Sequence, residues 1–103
     1  MSDSAAIPPQ KRLYMIVEHL KNHDSAPVYR RFRERGRMLP EGLVYVSSWV
    51  DDKRERCFQL METADRALID QWIVNWSDLV DFEVYPVLRS EPSLWNACAP
   101  AAP

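Results

Sequence analysis

The order of apolar patterns along this chain predicts an α+β domain with its elements in the order β-α-β-β-α-β. Three observations carry that reading. Four short runs are rich in β-branched and aromatic residues or alternate apolar with polar: residues 13–20 (LYMIVEHL), 43–50 (LVYVSSWV), 56–63 (RCFQLMET) and 80–88 (VDFEVYPVL). Two intervening segments repeat their apolar residues at helical spacing instead. The length, 103 residues, suits a single domain, and a composition of 47% hydrophobic residues with only two glycines suits a packed core.

The elements follow one another with recognisable punctuation. Residues 1–12 read as a flexible leader; they carry Pro8 and Pro9 and lack the apolar stretch of a secretory signal. After the first strand, Asp24 or Ser25 can cap a helix and Pro27 suits its first turn. On that helix Val28, Phe32 and Leu39 share a face with Tyr29 at its flank, and Arg30, Glu34 and Arg37 point away. Pro40, Glu41 and Gly42 form a turn, and the five charged residues 51–55 join the second and third strands as a hairpin loop. Asp65 caps the second helix, whose inner side gathers Leu68, Ile69, Trp72, Trp76 and Leu79. Pro86 favours an edge position for the last strand, and residues 89–103 read as an irregular tail in which Leu94 and Trp95 can dock. The expected domain is therefore 13–88. By analogy with the ferredoxin-like arrangement, its strand order would be 4-1-3-2, with both helices on one face.

Alternation divides each strand into two rows. Met15, Val17, His19, Val44, Val46 and Ser48 belong to the more aliphatic one, together with Phe58, Leu60, Glu62, Phe82 and Val84, and that row is assigned to the helix side. Tyr14, Ile16, Tyr45, Trp49, Met61, Tyr85 and Val87 lie on the other, with Glu18, Ser47, Cys57, Gln59 and Glu83 among them. No helix remains to cover it. A patch of that size suits a second copy of the chain, sheet against sheet, so a homodimer is expected.

Several segments also resemble a known family. Residues 29–37 (YRRFRERGR), 40–42, 45–51 (YVSSWVD), 57–62 (CFQLME) and 76–84 (WSDLVDFEV) look like the bacterial domain of unknown function 3303, over about residues 13–88. That family is similar to the dimeric α+β barrel superfamily, in which ferredoxin-like protomers pair through their sheets. The resemblance implies the fold and the dimer and transfers no catalytic residue.

Chemistry-bearing patterns are sparse. His19 and His23 are four apart, but the first ends a strand and the second lies in a loop, so no metal is expected. His19 is the candidate proton carrier, placed beside Arg56 and the tryptophans of the second helix. Glu62 shares its row but sits toward the opposite end of an antiparallel pair, too far for a direct bond. Trp72 and Trp76 read first as core, and second as the wall of an apolar slot. The arginines at 30, 31, 33, 35 and 37 form a solvated face rather than a phosphate patch, because Glu34 intervenes and the net charge is −2. An RNA recognition motif shares this element order, but the third strand lacks its glycine and paired stacking aromatics, and Phe58 falls on the helix-facing row. Cys57 has no histidine placed to activate it, and glycine at positions 36 and 42 alone excludes phosphate-binding loops.

The reading that results is a cytoplasmic homodimer binding a small, partly apolar molecule, with no cofactor, nucleic acid or membrane partner. Its pocket would lie between sheet and helices, near His19, Ser48, Trp72 and Trp76, or within the barrel, near Tyr45, Trp49 and Gln59. The alternatives are an enzyme of the cofactor-independent monooxygenase or isomerase kind, with His19 shuttling the proton, or a structural or regulatory interaction module.

Overall fold

Every strand and helix named above forms. The computed structural model describes residues 10–90, so Leu94, Trp95, Cys98 and most of the expected leader and tail lie outside the described residues. The elements are β1 (Arg12–Leu20), α1 (Ala26–Arg35), β2 (Val44–Val50), β3 (Arg56–Thr63), α2 (Ala67–Val74) and β4 (Val80–Val87), with a short 3-10 turn over Lys21–His23. The strands form one antiparallel sheet in the order β2-β3-β1-β4, the expected order read from the other edge.

Local chemistry explains the boundaries. The Asp24 carboxylate accepts the Ala26 N–H at 3.0 Å ahead of α1, and Pro27 occupies its first turn. Gly36 ends α1 with φ 69°, its N–H donating to the Phe32 carbonyl at 2.7 Å. Asp65 receives the Ala67 N–H at 3.0 Å before α2. The β2–β3 loop is folded around Asp51, whose Oδ1 accepts the N–H groups of Glu55 (2.8 Å) and Arg56 (3.2 Å). Those bonds, led by the one from Glu55, hold the Asp51 carboxyl below its ordinary range.

The sheet's two faces are the reverse of the expectation in β1 and β3. Tyr14, Ile16, Glu18 and Leu20 are buried, as are Gln59, Met61 and Thr63, and this row faces the helices. Tyr14, Ile16 and Met61 were expected on a dimer face and instead sit in the core with Leu43, Ile69, Trp72 and Trp76. Register extends the same row onto β4, where Phe82 lies opposite Glu18 and Val84 opposite Ile16, so those two do face the helices. Phe58 belongs to the open row with Val17, and the Arg56 guanidinium lies 5.6 Å from its ring centroid. Phe58 therefore faces away from the helices, and its position does not speak against RNA.

In β2 an irregularity interrupts alternation. Tyr45 pairs with Met61, but the next partners are Ser47 with Leu60 and Ser48 with Gln59. The extra residue, Val46, bulges out and puts Tyr45 and Ser48 on the same face. Simple alternation separates them.

Candidate functional site

The two helices rest on the sheet very differently. Ile69 and Trp72 of α2 are buried, Trp72 meets Phe82 edge to face at 5.4 Å between ring centroids, and Trp76 follows just after the helix. None of the ten residues of α1 is buried. Arg31 instead fastens α1 at its flank. Its guanidinium makes two hydrogen bonds of 2.7 Å to the Asp78 carboxylate and one of 2.9 Å to the Asn75 carbonyl. The same hydrogen bonding pulls the Asp78 carboxyl down to about 2.

Beneath α1 lies a cavity of about 310 Å³. Val28, Tyr29 and Phe32 form its roof, Trp72 and Trp76 its inner wall, and Trp49 and Val50 its outer rim. Glu18, Ser48, Cys57 and Gln59 line it from the sheet, and Arg37 lines it from the loop after α1. Five residues expected to contact a ligand, Ser48, Trp49, Gln59, Trp72 and Trp76, thus border one space. Tyr45 stands just behind them, its hydroxyl 2.7 Å from Ser48 Oγ.

Arg37 organises this end of the cavity. Its backbone carbonyl accepts the indole N–H of Trp72 at 3.0 Å and that of Trp76 at 3.2 Å, so both tryptophans satisfy their polar atom there. The guanidinium lies 3.6 Å from the Tyr45 ring centroid and 5.1 Å from that of Phe32. Its Nε–H donates to Gln59 Oε1 at 3.3 Å, and the Gln59 amide in turn donates to the Glu18 carboxylate. A helical wheel points Arg37 at solvent. The chain leaves the helix at Gly36, and that turn brings the side chain inward.

Glu18 is the other feature the sequence reading passed over. It is buried in a largely apolar space, and burial pushes its carboxyl up to about 7. The hydrogen bond from Gln59 and the charge of Arg37 pull in the opposite direction and only partly offset this. Next to it, Cys57 is a free thiol pushed up to about 11, first by burial and then by the negative charges of Glu18 and Asp51. A thiol that holds its proton so firmly is a poor nucleophile.

His19 is not part of this site. It lies on the open face, where its ring hydrogen-bonds Glu83, which also accepts the Tyr85 hydroxyl. The reason is the face reversal: in β1 the even-numbered residues face the helices, and His19 is odd. Glu62 pairs with Leu13 at the far end of the sheet, as the antiparallel geometry requires. Among the described residues, no group of three or more His, Cys, Asp or Glu side chains is placed to hold a metal ion. Nor is any helix among them long and apolar enough to cross a membrane.

Fold and site together define a ferredoxin-like α+β domain with a lined cavity under its first helix. The chain belongs to the DUF3303 family, a domain of unknown function whose family model matches residues 12–94. No curated protein and no solved structure matches it.

Proposed function

We propose that this chain is a cytoplasmic, bacterial small-molecule-binding protein that works as a homodimer. The observation that carries the binding reading is the cavity itself. A space of about 310 Å³ walled by aromatic side chains and holding a few convergent polar groups has the size and character of a ligand pocket. Apolar residues exposed, among the described residues, on the sheet face away from the helices support the dimer. By register Leu13, Met15 and Val17 line that face with Leu60 and Phe58, and Trp49 and Tyr85, 53% and 48% exposed, flank them. Of the residues first expected there, Trp49, Tyr85 and Val87 lie on that face by register; Tyr14, Ile16 and Met61 do not, and Tyr45 lies under Arg37.

Binding is tested by thermal unfolding against a panel of one- and two-ring compounds. A true ligand at a hundredfold excess over its Kd adds about 2.7 kcal/mol. The dimer is tested by sedimentation: twice the chain mass is expected, and a monomer mass at all concentrations overturns it. Val17→Asp, on the open face, should convert the dimer to a folded monomer.

One observation favours a second reading, an isomerase-type enzyme. A carboxyl near 7 inside an apolar cavity suits a general acid–base, and it assigns the proton to Glu18 rather than His19. In that case Glu18→Gln abolishes turnover with the fold intact, and His19→Ala leaves turnover unchanged.

A further inference from the structure

The polar groups of the cavity are not all spent on one another. Gln59 is committed on both sides, to Arg37 and to Glu18, and Ser48 is committed to Tyr45. Arg37 donates only through Nε among the described hydrogen bonds, and among the described residues no carboxylate forms an ion pair with it. Its two terminal nitrogens, four N–H donors in a planar fork, donate no hydrogen bond among the described residues, and Arg37 lines the cavity. One oxygen of Glu18 likewise accepts no described hydrogen bond. A ligand that completes this arrangement brings an acceptor for the fork and an apolar body for the aromatic walls.

Resting on the binding reading above, we propose that the cavity takes a planar apolar acid as its monoanion, carboxylate on the terminal N–H groups of Arg37, and that a proton from solvent settles on Glu18 as the ligand enters. Binding thus joins one ligand anion, one proton and the protein whose Glu18 is ionised. No covalent bond changes.

Charge decides the sign of the ligand. Aromatic walls and a buried carboxylate also describe a cage for an organic cation, but that role is already filled. The Arg37 guanidinium lies on the faces of Tyr45 and Phe32, and Arg31 lies 5.7 Å from the Trp76 ring centroid. A second cation would meet the positive charge of Arg37 at close range. Arg31 is neutralised by Asp78, whereas Arg37 has no ion-pair partner among the described residues. A carboxylate matches its fork with two parallel hydrogen bonds.

The proton follows from the same geometry. An anion held on Arg37 sits beside Glu18, and two carboxylates sharing a small apolar space cannot both remain ionised at low cost. The groups facing Glu18 from neighbouring elements leave it the one able to respond. They are Arg37 from the α1–β2 loop, Cys57 and Gln59 from β3, Ser48 and Tyr45 from β2, the indoles of Trp72 and Trp76, and Phe82 from β4. Of these, Cys57 keeps its proton, while burial has already brought Glu18 near its midpoint at neutral pH.

The test is calorimetric titration of the full chain with 2-naphthoate, 2-naphthamide and 2-naphthylmethylamine at pH 8, in phosphate and in Tris. The two buffers release different heats on giving up a proton, so the difference counts protons taken up. For naphthoate, close to one proton per ligand is expected, with at least tenfold tighter binding than either comparator. Its Kd weakens about tenfold from pH 8 to pH 9 as Glu18 becomes harder to protonate. Glu18→Gln should bind naphthoate without proton uptake and without that pH dependence. Arg37→Gln should bind acid and amide alike. If the amide or the amine binds as well as the acid, or if naphthoate binds without proton uptake, the inference is wrong and the pocket reading survives. If none of the three binds, both fall.

Discussion

Two helices lie on one face of one sheet, and only one of them is glued to it. α2 buries Ile69 and Trp72 completely enough that the helix and the strands beneath share a core. α1 has Phe32 and Tyr29 40% and 50% exposed, and it is held by an arginine clamp to the residues after α2 and by the turn at Gly36. The difference teaches where each kind of residue does its work. Apolar side chains on α2 stabilise the fold, whereas Tyr29 and Phe32 of α1 roof a space.

That contrast can be broken by substitution. The largest effect is expected on the tight side. Trp72→Ala removes a buried indole and its hydrogen bond to the Arg37 carbonyl, and should cost about 3–5 kcal/mol in chemical denaturation. Gly42→Ala comes next, at about 1–3 kcal/mol, again by denaturation. Gly42 has φ +97°, and an added Cβ would stand 2.9 Å from Leu68 Cδ1 on α2.

On the loose side, stability should depend on pH through Glu18. Its folded pKa is raised, so the folded state holds that proton more tightly than the unfolded chain does. The associated stability is fully present below the unfolded value, near 4.5, and is lost as pH rises through about 7. Between pH 5 and pH 8 the wild-type chain should lose about 2 kcal/mol through this group, and Glu18→Gln should remove that slope. Asp51, Asp78 and Glu83 shift the other way and act only at lower pH, so they do not blur this window. The smallest stability effect is expected for Phe32→Ala, about 1 kcal/mol or less, because its ring is partly in water already. Its larger consequence should be weaker ligand binding. A Phe32→Ala loss as large as that of Trp72→Ala would erase the distinction between the helices.

Element order was readable from the sequence because it rests on periodicity and punctuation, and the strand order followed by analogy with the ferredoxin-like arrangement. Pro27, the turn at residues 40–42, the charged hairpin around Asp51 and the cap at Asp65 all act over a few residues. The facing of β1 was not readable. Both of its rows are apolar enough to be inside, and Glu18 made the truly buried row look wet. What resolves the choice is a long-range pairing, Glu18 beside Cys57 on one side and Phe82 on the other, with Gln59 supplying the hydrogen bond. The bulge at Val46 similarly hid the partnership of Tyr45 with Ser48. Arg37 was misread because helical periodicity was carried one residue past Gly36, where the backbone turns. The tryptophans and Ser48 were therefore legible as neighbours of one space between sheet and helices; Gln59 was read on the opposite face, and Arg37 and Glu18 were not read as part of a site.

The irregularities at the two margins of the sheet have a further consequence, for solubility. β4 carries Pro86, which has no N–H to offer an incoming strand, and β2 is kinked by its bulge. Neither margin presents a straight, complete row of donors and acceptors. Lateral growth into an open-ended ribbon of sheets is discouraged on both sides, which keeps the sheet from serving as a template for strand addition.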